Sequence, residues 1–232
     1  MELILKPTGR CNFKCKFCAA SELMTNEDRT HVHPNIKRYI EDVKPHLIII
    51  TGGDPLMMDP SYYYELHDIV GDLVKLYATT NLKDFYLNPH KWASLLNEDW
   101  FNVTTSFQYG SGRMWDINTV YNETMFLKVM DQYSKYVNKN LPIFISVISE
   151  ENEMYAIDNV RLAKRLNTVA KLNAALPVGK QGTWYPRYKM YQLYIDIIDK
   201  HGLGKFESNC IDRSQPKCPK NIYNSCNDNI RC

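Results

Sequence analysis

Three cysteines near the start of the chain, Cys11, Cys15 and Cys18, are the residues best suited to do chemistry. Gaps of three and two residues separate them, so their thiolates can reach a single centre. Iron–sulfur cubanes are normally held by four cysteine thiolates. A protein that supplies only three leaves one iron with an open coordination position, just as catalytic zinc sites keep one position open. The spacing therefore favours a reactive metal centre over a closed structural one.

A second group of cysteines lies at the other end of the sequence, and the chain between the two groups contains none. This clustering differs from a secreted disulfide framework, whose cysteines are spread through a small, core-poor chain. Four thiolates could close a second iron–sulfur cluster or an all-cysteine zinc site, and the remaining alternative is free thiols. The members of the group are Cys210, Cys218, Cys226 and Cys232.

The composition is that of one folded domain that has no general affinity for nucleic acid. A chain of 232 residues with 44% hydrophobic content can bury a real core, and 12% aromatic residues argue against disorder. The net charge of +2 predicts no general attraction to a polyanion. The longest aliphatic run, residues 47–50, is far below the roughly 20 residues that span a bilayer. We expect a cytoplasmic protein without a membrane partner.

Six strand-like segments alternate with amphipathic helical segments, which predicts an α/β fold with a parallel sheet and right-handed crossovers. Six such units can form either an open sheet or a partial barrel. The apolar periodicity stops near residue 205, so we predict a core over residues 1–205 and a cysteine-rich tail over residues 206–232. The strand candidates are residues 2–6, 46–51, 74–81, 102–108, 142–149 and 168–176.

The polar motifs fall at the carboxyl ends of these predicted strands, where α/β folds collect their functional sites. The three cysteines follow the first strand, and the sequence GGDP at residues 52–55 follows the second. Asn81, Ser106 and Ser146 belong to the ends of the third, fourth and fifth strands. This placement predicts that all of these groups face one site.

The two motifs together resemble those of radical S-adenosylmethionine (SAM) enzymes. The loop Cys11-x3-Cys15-x2-Cys18, with Phe17 before its last cysteine, is similar to that family's signature loop, and GGDP is similar to its GGEP motif with Asp54 in place of Glu. Outside these motifs the resemblance is architectural and covers roughly residues 1–200. It implies a partial (β/α)6 TIM-like barrel of parallel strands with a short cysteine-rich extension.

The resemblance also implies the cofactors and the reaction. A [4Fe–4S] cluster with three cysteine ligands would bind SAM at its open iron and cleave it reductively. The resulting 5′-deoxyadenosyl radical would abstract hydrogen from a substrate, while the protein positions and shields it. An electron donor such as flavodoxin or ferredoxin would be the redox partner.

By the same resemblance, cofactor roles can be carried onto individual residues. Cys11, Cys15 and Cys18 would ligate the cluster. The remaining assignments concern SAM. The backbone carbonyls of Gly52 and Gly53 would face its ammonium group, and the side chain of Asp54 would hold that loop or the ammonium. The ribose or the carboxylate of SAM would be contacted by Asn81, Ser106 and Ser146, and its adenine by Val178 and the backbone near Phe17.

The cysteine-rich tail resembles that of the SPASM or twitch branch of the family in placement and count, although not in spacing. That resemblance implies an auxiliary [4Fe–4S] cluster, with zinc as the alternative, and a peptide or protein substrate.

A basic and aromatic stretch after the sixth strand points to a different substrate. Such residues can hold a phosphate and stack a base, which would suit a nucleotide or nucleic acid, and they could equally grip a peptide carboxylate. The alternative is a solvated helix face with core tyrosines. The candidate substrate residues are Lys180, Trp184, Tyr185 and Arg187.

A non-enzymatic role is the third possibility. The chain would then be a structural or electron-transfer protein that holds zinc or an iron–sulfur cluster. In the zinc case, the three cysteines of residues 11–18 could form the site with His31 or His33 as the fourth ligand.

Overall fold

The computed structural model describes residues 1–18, 30–177 and 185–211. Within these residues, each predicted strand segment forms a strand, although β1 extends beyond its segment and several other strands are shorter than theirs. The strands are β1 Glu2–Thr8, β2 Leu47–Gly52, β3 Lys75–Thr79, β4 Phe101–Ser106, β5 Phe144–Ile148 and β6 Ala170–Ala174.

All six strands join in one sheet whose spatial order, β1-β2-β3-β4-β5-β6, follows the order in sequence. Every neighbouring pair is parallel, with Leu5 opposite Ile50 and Ala78 opposite Val103 in the register. A parallel sheet in sequential order is the topology of a (β/α) barrel that has not closed. The predicted fold class is confirmed.

Helices connect the strands and cover one face of the sheet. Several of them begin at a proline that follows a capping side chain, as in α2, where Asp59 accepts a hydrogen bond from Ser61 N–H at 3.1 Å. The helices are α1 Pro34–Val43, α2 Pro60–Val70, α3 Lys83–Leu87, α4 Pro89–Asn97, α5 Glu123–Tyr136, α6 Ala156–Arg165, α7 Arg187–Ile195 and α8 Ser208–Ile211.

Burial alternates along the strands, so the two faces of the sheet differ. Ile48 and Leu76 are fully buried in the main core, whereas Ile49 and Tyr77, next to them in sequence, remain partly or largely exposed. Side chains of successive strand residues point to opposite faces. Among the described residues, one face therefore packs against the helices and the other keeps accessible surface.

The β6 edge of the sheet is covered by residues 206–211, which the sequence assigns to the tail. Glu207 is 0% exposed, and its carboxylate accepts hydrogen bonds from Leu172 N–H at 3.0 Å and Cys210 N–H at 2.9 Å. Asn209 donates to the same carboxylate at 2.8 Å and to the Leu172 carbonyl at 3.1 Å. The edge strand thus has some of its backbone groups satisfied without a seventh strand.

No helix in the described part of the chain is both long enough and apolar enough to cross a membrane.

Candidate active site

The GGDP segment is bonded directly to the start of the cysteine loop. Gly53 N–H and Asp54 N–H donate to the carbonyls of Thr8 and Arg10, each at 2.7 Å. A Cβ atom on Gly53 would lie 2.0 Å from the Arg10 carbonyl oxygen, and Gly52 has a φ of +118°. Both positions require glycine because the two backbones approach too closely for a side chain. The ends of β1 and β2 are therefore held as one unit.

Asp54 holds this unit to the end of β3. Its carboxylate accepts hydrogen bonds from Leu56 N–H at 2.9 Å, the Thr80 hydroxyl at 2.8 Å and Asn81 N–H at 2.6 Å. Burial raises the pKa of Asp54 to about 6, and these hydrogen bonds oppose the rise. The contacts support the loop-holding role that was one of its two predicted roles, and a contact to the SAM ammonium remains a prediction.

Asn81 extends the connection to the cysteine loop itself. Its Nδ2 lies 2.9 Å from Asn12 Oδ1 and 3.5 Å from Cys11 Sγ, while its Oδ1 accepts from Lys83 N–H at 2.8 Å. The side chain is 5% exposed, so these contacts take place in the interior. Asn81 therefore positions the first predicted cluster ligand, and its predicted contact to SAM stays a prediction.

The other flank of the cysteine loop rests on the connection between β4 and α5. Lys14 N–H and Lys16 N–H donate to the carbonyls of Met114 at 3.0 Å and Gly112 at 2.8 Å. Lys83 Nζ bridges the same two segments, since it donates to the carbonyls of Asn12 at 3.1 Å and Trp115 at 2.6 Å. The loop that carries the three thiols is thus held from both sides.

The three thiols lie on this supported loop, with Cys15 buried and Cys11 and Cys18 partly buried. None of the four described cysteines forms a disulfide. Burial, with Asp54 next in importance, raises the pKa of Cys11 to about 12, although Phe13 N–H donates to its sulfur at 3.4 Å. Metal ligation requires thiolates, so metal binding must supply the free energy that displaces this proton.

Two residues to which the sequence assigned no role, Gln108 and Arg113, lie under the cysteine loop. Arg113 is 6% exposed, and its Nη2 donates to Gln108 Oε1 at 3.1 Å. Gln108 in turn accepts from Val147 N–H at 2.9 Å. Arg113 belongs to the polar stretch GSGR, which has the composition of a surface turn, so only the structure reveals that it is buried.

Ser106 and Ser146 have different surroundings at the neighbouring strand ends. Ser106 ends β4 and is partly exposed. Ser146 is 0% exposed, and its hydroxyl donates to the Phe107 carbonyl at 2.6 Å. This geometry supports a bracing role for Ser146 within the sheet and does not support a cofactor contact. Phe17, predicted near the adenine, is partly buried and lies against Gly112 and Arg113.

The two candidate substrate residues that the structure describes differ in exposure. Tyr185 is 2% exposed, and Arg187, at the start of α7, is exposed. Tyr185 therefore belongs to the core, which was the alternative interpretation of this stretch, because a buried ring cannot stack on a base. Lys180 and Trp184, together with Val178, lie outside the described residues.

The second cysteine group is described only at Cys210. This residue is buried in α8 beside β6, where its N–H bonds to Glu207. The auxiliary cluster and the tail domain remain predictions. Cys218, Cys226 and Cys232 lie outside the described residues.

The two histidines of the zinc alternative have other partners. His31 Nδ1 lies 3.1 Å from Glu65 Oε2, and His33 Nδ1 accepts from Asn35 N–H at 3.2 Å to cap α1. Within the described ranges, no three His, Cys, Asp or Glu side chains converge as ligands of one metal ion would. The geometry therefore gives no support to a mononuclear zinc site.

The residues present do fit a thiolate-ligated cluster. Three thiols share one short loop, the glycine turn is bonded to that loop, and a buried Arg113 supplies positive charge beneath it. A cubane spreads its ligands over separate irons, so three thiols need not converge on one point.

The fold and the site together define an α/β protein with a three-cysteine loop at the carboxyl ends of a parallel sheet. A family model described as the radical SAM superfamily matches residues 5–163. The chain belongs to the radical SAM superfamily. Superfamily membership confirms the resemblance inferred from the two motifs, assigns the chain to the general radical SAM reaction class and implies a [4Fe–4S] cluster and SAM as cofactors.

Among the solved structures that share this fold is one described as native anSMEcpe with bound AdoMet and Cp18Cys peptide. The TM-score is 0.62 at 15% sequence identity, and the match covers 86% of this chain and 61% of that one. This chain therefore spans less than two thirds of the matched structure, and the likeness at this identity is one of fold. No curated protein matches the sequence.

Proposed function

We propose that this protein is a radical SAM enzyme that acts on a peptide or protein side chain. The observation that carries the chemical part is the doubly supported loop of Cys11, Cys15 and Cys18 in a chain of this superfamily. Reductive cleavage of SAM at the cluster supplies the chemistry, which is a 5′-deoxyadenosyl radical that abstracts hydrogen from the substrate.

The residues of the chain have three tasks in this proposal. The three cysteines hold the cluster, and the Gly52–Gly53 turn provides close backbone approach for the SAM amino group. Asp54 and Asn81 fix the position of that turn relative to the cysteine loop through the hydrogen bonds described above. Pre-organised ligands of this kind lose little entropy when the cofactors bind.

Aromatic side chains exclude water beside the loop. Phe13 is 5% exposed and packs against Trp115 and Tyr121, with ring centroids 5.5 and 5.0 Å apart. Trp115 stacks on Tyr121 in turn, at 5.5 Å. A dry, rigid surround suits radical chemistry because side reactions with solvent are suppressed.

The accessible face of the sheet supports the peptide substrate. Thr79 and Thr104 share a hydrogen bond of 3.0 Å on this face, and Ser106 follows at the site end of β4. Backbone and side-chain amides of a peptide are natural partners for such hydroxyl groups. The fold neighbour binds a peptide together with AdoMet, whereas the burial of Tyr185 weakens the nucleotide alternative.

Anaerobic reconstitution tests the chemical part of the proposal. The chain is loaded with iron and sulfide, reduced with dithionite and given SAM. We expect 5′-deoxyadenosine from the wild type and none from Cys15→Ala. Glu41→Ala, on the exposed surface of α1, serves as the control and should still form the product. A wild-type protein that binds no iron–sulfur cluster would refute the proposal.

Substrate-stimulated turnover tests the peptide part. Pools of peptides and of nucleosides are added separately to the reconstituted enzyme, and 5′-deoxyadenosine is measured above the substrate-free rate. We expect stimulation by peptides, with a mass change in the peptide that is consumed. Stimulation by nucleosides alone would overturn the peptide assignment and leave the radical chemistry intact.

A further inference from the structure

The connection between β4 and α5 folds back under the cysteine loop as a small hairpin, residues 112–121. Met114 and Val120 form an antiparallel bridge, and Tyr121 N–H donates to the Arg113 carbonyl at 2.8 Å. The carbonyls of Gly112 and Met114 accept from the loop on either side of Cys15. Arg113 is therefore the residue of the hairpin that is centred beneath the three thiols.

The side chain of Arg113 points into the interior. It is 6% exposed, and its Cζ lies 5.1 Å from the centre of the Phe17 ring. Nη2 donates to the neutral amide of Gln108, and Nε has no hydrogen-bond partner among residues 1–18, 30–177 and 185–211. In that same part of the chain, no Asp or Glu forms an ion pair with it.

A buried guanidinium without an anion is energetically costly, because an ion that is removed from water loses its solvation. Burial lowers the pKa of Arg113, and the thiols of Cys15, Cys11 and Cys18, together with the phenol of Tyr121, are near enough to oppose that change when they are ionised. The hairpin carbonyls on either side of Arg113 are bonded to the loop on either side of Cys15. Among the described residues, the cysteine loop is therefore the element that can supply a balancing charge.

We propose that Arg113 is the buried counter-charge of the iron–sulfur cluster held by Cys11, Cys15 and Cys18. The inference rests on the proposed function, since it needs the cluster. A thiolate-ligated cluster carries net negative charge that grows by one on reduction, so a fixed cation beneath it stabilises the reduced form more than the oxidised form. Charge and hydrogen bonding around a cluster are the means by which a protein sets its reduction potential.

The reduction potential of the cluster without SAM is the direct test. Wild type, Arg113→Met, Arg113→Lys and Arg161→Met are reconstituted, their iron and sulfide contents are matched, and each is titrated anaerobically with EPR detection of the reduced cluster. In Arg113→Met we expect the reduced-to-oxidised ratio at a fixed potential to fall by about tenfold, a shift of about 59 mV for one electron. Arg113→Lys should recover part of the shift, and Arg161→Met, on the exposed face of α6, should show none.

The stability of the cluster-free protein gives a second readout. Without the cluster, the buried charge is uncompensated, so apo Arg113→Met should unfold at a higher temperature than apo wild type. With the cluster, the order should reverse, because the compensating pair is lost. A merely structural arginine would stabilise both forms.

Each outcome decides the matter. An unchanged potential in fully loaded Arg113→Met overturns the inference, and so does an apo variant that fails to fold. Failure of both Arg113→Met and Arg113→Lys to take up a cluster would also overturn it, since shape and not charge would then be required. Failure of Arg113→Met alone would support it. If the wild type itself takes up no cluster, the proposed function fails, which is a separate result.

Discussion

Single residues explain how the turn after β2 meets the cysteine loop. Asp54 is one methylene shorter than the glutamate of the motif that its segment resembles. Its carboxylate accepts hydrogen bonds from Leu56, Thr80 and Asn81. The short side chain suits this role because both oxygens remain close to their own turn. A buried acceptor that satisfies three donors cannot be removed without leaving those donors unpaired.

Replacement of Asp54 by Ala should therefore destabilise the apoprotein by about 2 kcal/mol at pH 7, after allowance for the burial cost of the lost charge. Urea unfolding followed by circular dichroism measures the difference. Asp59→Ala, which removes the exposed cap of α2, should cost only about 1 kcal/mol. Equal losses in the two variants would show that the Asp54 contacts contribute nothing special.

The pH dependence of stability should report the same carboxyl group. Burial raises the pKa of Asp54 to about 6 from a usual value of 3.8, so the folded protein binds more protons than the unfolded chain between these values. The contribution of this carboxyl group to the free energy of unfolding is fully present below about pH 4 and is lost as the pH rises through about 6. The difference in free energy of unfolding between wild type and Asp54→Asn, measured from pH 4 to pH 7 on apoprotein, should fall by up to about 3 kcal/mol. A flat difference would contradict the raised pKa.

At the scale of elements, the covering of the β6 edge depends on Glu207. Its carboxylate joins Leu172 of the strand to Asn209 and Cys210 of α8, and none of its surface is exposed. The carboxylate thus takes over one of the bonding positions that a further strand would occupy. It also explains why residues beyond 205 belong to the folded core, although their apolar periodicity has ended.

Glu207→Ala should cost about 3–5 kcal/mol, because it leaves the N–H donors of Leu172 and Cys210 without their acceptor in the interior. Chemical denaturation gives the value, and hydrogen exchange at Leu172 N–H should quicken with it. Glu41→Ala, on the exposed surface of α1, should change stability by less than about 0.5 kcal/mol. A loss at Glu207 no larger than at Glu41 would mean that the edge is held by other contacts.

The strands were predictable from the sequence and the supports of the site were not. Segments such as HLIIIT carry β-branched residues between turn residues, so they identify their strands locally. Arg113 and Glu207 look like surface residues, and only long-range packing buries them. Ser146 shows the opposite case. Its position near a strand end suggested that it faces the site, but side chains alternate between the two faces of β5, and Ser146 lies on the face that packs into the core.

For the whole molecule, the sheet is covered by helices on one face only within the described residues, so stability depends on that core and on its two edges. The predicted boundary at residue 205 separates Glu207 from the strand that it completes. The structure therefore favours residue 211 as a better end for a minimal core, because α8 and its contacts to β6 are then retained.

Two truncated chains test this directly. Residues 1–211 should unfold cooperatively, and residues 1–205 should unfold at a distinctly lower temperature than residues 1–211. The loss in the shorter chain should exceed that of Glu207→Ala, because Asn209 and the packing of Cys210 disappear as well. Indistinguishable melting curves for the two chains would refute this role of residues 206–211.

The cysteine loop is attached to its supports through main-chain atoms at Gly53, Asp54, Lys14 and Lys16. Peptide groups are common to all residues other than proline at the donor positions, so the attachment at Lys14 and Lys16 survives when their side chains are exchanged, whereas Gly53 cannot carry a side chain. Lys14 and Lys16 project into solvent between the thiols and contribute only their amides to the scaffold. Substitutions at positions 14 and 16 can therefore change the charge around the loop without moving the thiols.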